Sequence, residues 1–283
     1  MSADLAAAYQ TAGADLRQGD RDRWLANLFA PAAARPHLDA LYAFNLEIAR
    51  IRDIISGPMP GEIRLQWWRE AIEGQGRGDV AANPIAAALL DTIARCKLPV
   101  RALGDLIDAR TFDLYDDPVT DVDQLIGYCG ETSSALVRLA CLILGEGADL
   151  GGVDAAGHAG VAIALTGLLR MVGPHAAQHR VYAPADLLGR HGANSAEMQA
   201  RRAGPGVLAA LAAMRRLARE HLAKAETALR TVDRRLAPAF LALALVEPSL
   251  RRMERRGYDP FTTDVELSPW RRQYLLWRRA RRT

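Results

Sequence analysis

The stretch ALTGLLRMVGPHAAQHRVYAPADLL, residues 164–188, decides how this chain is read. Up to Val172 its apolar residues recur at helical spacing, the pattern of a helix with one face on a core. Gly173-Pro174 then predicts the end of that helix, because glycine is a poor helix former and proline lacks the N–H a helix interior needs. Arg170 before that break and His175, His179 and Arg180 after it are residue types that suit anion handling. The face carrying Met171 and His175 nevertheless holds no carboxylate. The stretch is either a metal–phosphate site that has lost its ligands or a helix end that was never a site.

The helical pattern continues outward on both sides. Pro36 predicts a first turn, and an apolar stripe follows it to Ile55. Residues 62–74 read as a second helix closed by Gly74, with Gly57-Pro58 and Pro60-Gly61 as punctuation before it. Asn83-Pro84 and Pro99 open two more, and Thr120 with Asp123 has capping-box spacing ahead of a helix beginning near Gln124. Helices are also expected over 154–172, from Pro205 to about 235, and from Pro238 to near Gly257. A basic amphipathic helix is expected over 268–283. Ala and Leu dominate, no strand alternation is convincing, and no repeat of fixed period occurs. The expectation is one all-α domain over 1–283, a helical bundle with ligand sites between facing helices.

The composition narrows the function classes. Hydrophobic residues at 50% and charged residues at 24% are ordinary for a soluble protein, and a net charge of +3 gives no ground for a nucleic-acid partner. Cys96, Cys129 and Cys141 lack metal-ligand spacing and read as buried thiols in a reducing compartment. The N-terminal stretch carries several acids and no continuous apolar core, unlike a signal or transit peptide. The longest apolar runs, such as residues 236–246, fall short of the ~20 residues needed to span a bilayer. A cytoplasmic protein is expected, soluble or peripheral on the inner face of the cytoplasmic membrane.

Two stretches carry a family likeness: LYAFNLEIARIRD (41–53) and LTGLLRMVGPHAAQHRVYAPADLL (165–188). Together they resemble the squalene/phytoene synthases, the head-to-head prenyltransferases. LYDDP with LIGYCGETSSALVRLACLILG, and RRMERRGYDPF near the end, extend the likeness over almost the whole chain. The resemblance implies an isoprenoid-synthase-type bundle with a central cavity. It also implies two Asp-rich motifs facing each other, holding Mg²⁺ that in turn holds diphosphate. Mg²⁺ is a hard ion that takes oxygen ligands, and it neutralises a departing diphosphate.

By that likeness the first motif's acidic positions fall at Ala49, Arg50 and Asp53, and the second motif's at Met171 and His175. Only Asp53 is acidic. Glu47 is no substitute, since six residues rotate it by roughly 240° from Asp53. Thioether and imidazole do not suit Mg²⁺. The frame around the motifs persists in Thr166, Arg170, Arg180, Tyr182 and Pro184. Details such as Phe44-Asn45 with Glu47 and Ala49, and the aromatic pair in QWWRE, resemble a divergent branch of the family with degraded motifs. That branch assists assembly of respiratory complex I, the NADH dehydrogenase. The resemblance therefore implies a non-catalytic protein with no metal cofactor, whose partners are complex I subunits or other assembly factors, with an isoprenoid or lipid as a possible cavity ligand. The alternative is an active prenyltransferase using Mg²⁺, with Asp53, Asp113, Asp116 or Asp117 supplying coordination.

Several residues keep more than one reading at this level. Met171 and His175 read as packing and helix-end residues, cationic histidine being favoured at a helix C-terminus. A zinc pair of His175 and His179 would need the helix to continue. Arg50 either pairs with Asp53 and fills the vacated site, pairs with Asp113, or joins Arg170, Arg180 and Tyr182 in a metal-free phosphate site, and the non-catalytic reading predicts Arg50 and Met171 plugging the central space. Trp67 and Trp68 are adjacent and cannot face one core together, so one is a contact residue or both are buried between different neighbours. In the tail, Trp270 is expected to pack on the core, and the region after Trp277 to meet an anionic membrane or an acidic partner.

Overall fold

The computed structural model describes residues 3–282 apart from Arg77 and Asp116, and among these there is no strand. The chain opens with α1 (Ala3–Gly19) and α2 (Arg21–Asn27). Asp20 ends the first and caps the second, its side chain accepting from the Arg23 N–H. Next come α3 (Arg35–Ile54) and α4 (Pro58–Ile72). The prolines at 58 and 60 lie in α4's first turn, where a missing N–H costs nothing, so they begin the helix instead of preceding it. Asn83 caps α5 (Pro84–Cys96) through the Ile85 and Ala86 N–H groups, and α6 (Val100–Thr111) follows.

The next segment departs from the sequence expectation. Asp121, not Thr120, caps α7 (Val122–Cys129): its carboxylate accepts from the Gln124 N–H, and the Gln124 side chain accepts from the Thr120 N–H. The capping box is thus shifted by one residue. The single expected helix is also divided by a π-helical turn, Gly130–Ser134, before α8 (Ala135–Leu144). The π turn faces α9 (Val153–Arg170) at Gly160, where a Cβ would lie 2.3 Å from Ser134 backbone atoms. Only glycine lets the two approach so closely.

α9 ends at Arg170, earlier than Gly173-Pro174 implied. Met171 is the break, and α10 (Val172–Ala177) carries Gly173 and Pro174 in its first turn. Proline again starts a helix here. Gly173 is pressed on the Phe261 carbonyl, 2.5 Å from where a Cβ would stand. His175 lies in α10, but His179 follows it at φ +60, so the pair shares no helix face.

The rest comprises α11 (Ala185–Arg190), α12 (Ser195–Gln199) and α13 (Pro205–Ala228). A 3-10 segment, Arg234–Leu245, then leads into α14 (Val246–Arg252), and α15 (Pro269–Ala280) closes the chain. α13 stops short of 235, and the expected helix from Pro238 is mostly this 3-10 segment. α13 packs along α9, while α1, α3 and α5 form a second layer. The main core runs from Ala8 to Val265 and includes all three cysteines. Burial pushes the Cys129 and Cys141 thiols up to about 12, so both are inert neutral groups at neutral pH. Trp68 is buried on Phe44, and Trp67 is half-buried against it at 5.0 Å, which favours burial of both over a docking surface.

Candidate functional site

A cavity of about 310 Å³ opens between α2, α6, α7, the π turn, α9, the 3-10 segment and α14. Its size lies at the low end of ligand pockets. Ile163, Ala164, Leu168, Met171, Ala242, Leu245 and Val246 supply apolar wall, and Asp20, Asp22, Arg23, Arg110 and Arg170 supply charge. Met171 is on this wall and 45% exposed, so it does not fill the space. Arg50 does not line the cavity. It is exposed, with its guanidinium near Gly19 at the end of α1. The expectation that Arg50 and Met171 together plug the centre is therefore corrected.

Asp53, in the last turn of α3, pairs with Arg180 at 2.6 Å. The pairing of Asp53 with Arg50 is thus replaced by a contact between elements far apart in sequence. Arg180 also bonds the Gln178 side chain, which fixes the loop after α10. Ala49, one turn before Asp53, is half-buried and offers no ligand.

Asp113 stands at the centre of a buried polar cluster and is 7% exposed. Arg110 donates to it at 3.1 Å, Tyr128 at 2.8 Å and Tyr182 at 2.8 Å. Arg110 also donates to the Tyr128 hydroxyl and, at 3.2 Å, to Asn45 Oδ1. The counter-ion of Asp113 is thus Arg110 and not Arg50. Burial first, then the Asp113 charge, pushes the Tyr182 hydroxyl up, so it stays a neutral donor. His175 packs on Tyr182 in a tilted ring contact, the centroids 4.8 Å apart. Burial, and then Arg180, lowers its pKa to about 4, so it is neutral at pH 7 and not the helix-end cation expected. Asp117 lines a separate small hollow with Asp113, Arg180 and Tyr182, and Asp116 lies outside the described residues.

Arg170 donates to Asp22 at 3.1 Å. The other Asp22 oxygen is 2.9 Å from Arg272 Nε, an ion contact whose angle falls short of a hydrogen bond. Glu266 lies 3.7 Å from Arg170 and 3.6 Å from Arg272. This four-membered network ties α2, α9 and α15 together at the cavity mouth. The metal-free phosphate clamp of Arg50, Arg170 and Arg180 is not assembled, since Arg50 is exposed and off the cavity lining and the other two each hold a carboxylate.

Mg²⁺ needs several converging oxygen ligands in near-octahedral order. Among the described residues no three His, Cys, Asp or Glu side chains come together to hold a metal. Asp53 and Asp113 are each engaged by arginine, and Met171 and His175 offer sulfur and nitrogen. The donor set among the described residues does not fit Mg²⁺.

Sequence reasoning passed over Arg110, Tyr128, Asp22 and Arg272, and read Asn45 only as a mark of the likeness. Arg110 at three residues from Asp113 is a helical ion-pair spacing that pointed to their contact. Asp22 and Arg272 meet only through tertiary packing, and no local pattern marks them.

The fold and this arrangement define a helical bundle built on the plan of the isoprenoid synthases. A family model described as squalene/phytoene synthase matches residues 16–278, and the chain belongs to that family. It is 28% identical over 270 residues to human "NADH dehydrogenase (ubiquinone) complex I, assembly factor 6", covering 92% of this chain and 81% of that protein. It is also 28% identical over 268 residues to phytoene synthase of Thermus thermophilus, covering 92% and 88%. Among solved structures, a dehydrosqualene synthase superposes with a TM-score of 0.84 at 17% identity, over 98% of this chain and 97% of that one. Squalene synthase HpnC from Alicyclobacillus acidocaldarius superposes with a TM-score of 0.77 at 24% identity, over 92% and 98%.

Proposed function

We propose that this chain is a non-catalytic member of the family that assists assembly of NADH dehydrogenase, complex I, through contacts with its subunits or other assembly factors. One observation carries the reading. The acids that remain near the two motif positions are spent on arginines of the same chain, and the others are replaced by Ala49, Arg50, Met171 and His175. Ionising an allylic diphosphate requires a cation to take up the leaving charge, and no oxygen ligands converge to hold one among the described residues. The likeness to the human assembly factor over 92% of the chain gives the direction of the role.

The reading places the protein on the inner face of the cytoplasmic membrane through α15. Trp270, Tyr274 and Trp277 are exposed along one edge of that helix, Trp270 at 71%, so Trp270 does not pack on the core as expected. Leu276 and Arg272 face inward. Arg278, Arg281 and Arg282 are exposed beside the aromatic edge, a composition that suits anionic headgroups. No helix among the described residues is long and apolar enough to cross a membrane.

Two measurements test this. Diphosphate release is followed with farnesyl and geranylgeranyl diphosphates, Mg²⁺ or Mn²⁺, and NADPH, beside an active squalene synthase. In parallel, complex I assembly is followed on native gels in cells lacking the gene and in cells complemented with wild type or Asp53→Ala. The expected result is no turnover, with assembly restored by both genes. Multiple turnovers abolished by Asp53→Ala would refute it. They would establish the second reading, a prenyltransferase, which the equal identity to the Thermus phytoene synthase favours. In that case Asp53 and Asp113 must exchange their arginine partners for metal.

A further inference from the structure

Two histidines meet away from the site described above. His158 lies in the first half of α9, and His221 lies in α13, the long helix packed along it. Their Nδ1 atoms are 3.1 Å apart, and the rings meet edge-on with centroids 5.1 Å apart and planes at 66°. A hydrogen bond between two imidazole nitrogens needs a proton on one and a lone pair on the other. Two imidazolium rings would turn two N–H groups and two charges on each other, so the contact requires a neutral ring. Among the described residues neither ring has another hydrogen-bond or ion-pair partner. Both are half-buried, so two packed helices hold the pair and solvent still reaches it.

The same separation suits chelation. A Zn²⁺–imidazole bond is about 2.0–2.1 Å long, and two such bonds opening at about 90–110° place their nitrogens about 2.8–3.4 Å apart. The observed 3.1 Å falls in the middle of that range. An ion that displaces the shared proton therefore reaches both lone pairs after a rotation of the rings, with the helices in place. Imidazole nitrogen suits Zn²⁺, Cu²⁺ and Ni²⁺, whereas Mg²⁺ and Ca²⁺ take oxygen. No third His, Cys, Asp or Glu joins the two among the described residues, which leaves the other coordination positions to water. Of the charged groups that act on His221, Lys224 and Glu220 are of opposite sign, so they present no net charge to a cation.

We propose that His158 and His221 form a bidentate site for a divalent transition ion of the zinc class, with Nδ1 of each ring as ligand. Bound there, the ion ties α13 to α9, the helix that carries Thr166 and Arg170 to the cavity. The site stands whether or not the chain is catalytic.

The test uses the tag-free full chain, stripped with EDTA, exchanged into plain buffer and titrated with ZnCl₂ by calorimetry. One ion per chain is expected. His158→Gln and His221→Gln should each weaken binding by more than about tenfold, since loss of even an outer partner of a metal ligand costs about 10–100-fold. His191→Gln, on the exposed surface, should leave the affinity unchanged. Zn²⁺ at about a hundredfold its Kd should raise the Tm of wild type by roughly 5 °C and leave that of His158→Gln and His221→Gln unmoved. A histidine contact with a packing role alone would not make stability depend on the ion. MgCl₂ should produce neither effect. X-ray absorption of the wild type loaded with Co²⁺ should show two imidazole ligands, a reading that needs no variant to fold. No Zn²⁺ binding by wild type would overturn the proposal. So would a Zn²⁺ affinity unchanged in either His158→Gln or His221→Gln, which would mean an adventitious ion held elsewhere, or fewer than two imidazoles on Co²⁺.

Discussion

Asp113 gives the sharpest test of how the site is held together. Its carboxylate accepts from Arg110, Tyr128 and Tyr182 and is nearly sealed from water. Asp113→Ala leaves the Arg110 guanidinium buried with only Asn45 and the Tyr128 hydroxyl as neighbours. Removing one partner of a buried ion pair costs about 3–5 kcal/mol, because the remaining charge keeps its desolvation penalty and loses its counter-ion. Two tyrosine hydroxyls lose an acceptor as well, each worth about 1 kcal/mol net. Both effects act on one cluster and do not simply add, so the expected loss is about 3–5 kcal/mol. Urea denaturation followed by circular dichroism should show the midpoint falling by on the order of 1 M or more. Asp113→Asn keeps the shape and one acceptor and should lose less. The double change Arg110→Met with Asp113→Leu removes both charges, and it should be less destabilised than the sum of the two single changes. A loss below about 1 kcal/mol in Asp113→Ala would mean that the carboxylate is not the counter-ion of Arg110, and the argument that it is unavailable to a metal would fall with it.

Three further outcomes follow from the same geometry. Asp53→Ala should cost no more than about 1 kcal/mol in the same titration, since its pair with Arg180 is half open to solvent and screened. Gly160→Ala should destabilise by about 1–3 kcal/mol in thermal melts, because the added methyl meets Ser134 backbone that cannot move aside as a side chain would. His175 should make stability fall on acidification. Its folded pKa of about 4 is below its unfolded value of 6.5, so between those pH values the unfolded chain binds more protons. Its neutral form therefore favours folding fully above pH 6.5, and this is lost as pH drops towards 4. His175→Phe, which retains the ring contact with Tyr182, should flatten that limb of the stability–pH curve by about 2–3 kcal/mol. An unchanged slope would show that His175 titrates elsewhere.

The sequence made some of this legible and hid the rest for identifiable reasons. Helical periodicity and the Asn83 cap located α3, α5 and α9 closely, because these are local properties. Proline was the weak point. Pro58 and Pro60 read as punctuation and Pro174 as an end, yet each begins a helix, while Pro238 reads as a start and lies inside a 3-10 segment, so a proline alone does not say on which side of it a helix lies. The π turn at Gly130–Ser134 has no spacing signature of its own. It exists because Gly160 allows α9 to press against it. The identities at the site, Asp53, Asp113, Arg170, Arg180 and Tyr182, were visible as residues, but their partnerships were not. Arg180 reaches Asp53 across 127 positions and Arg170 reaches Asp22 across 148. Such contacts are set by packing, and a single sequence carries no measure of them.

The pairings also explain how a frame of this kind stands without an ion at its centre, on the reading proposed here. Clustered carboxylates repel one another, and in a metal-dependent site the cation offsets that repulsion. Here the acids that remain are distributed among arginines instead. Asp53 goes to Arg180, Asp113 to Arg110, and Asp22 to Arg170 and Arg272. Each pair joins a different set of elements: α3 to the loop after α10, the end of α6 to the turn that follows it, and α2 to α9 and α15. The third has a further consequence. Arg272 is buried and belongs to the helix that carries Trp270, Tyr274 and Trp277 outward. Asp22 lines the cavity. The docking of α15 and the charge state of the cavity mouth therefore share one carboxylate. Asp22→Asn should loosen α15, read as faster amide exchange in residues 269–280 than in α9. Protection of α15 equal to wild type in that variant would show that the Leu276 packing and the Arg279–Glu226 pair hold the helix without Asp22, and that the mouth and the outer surface are independent.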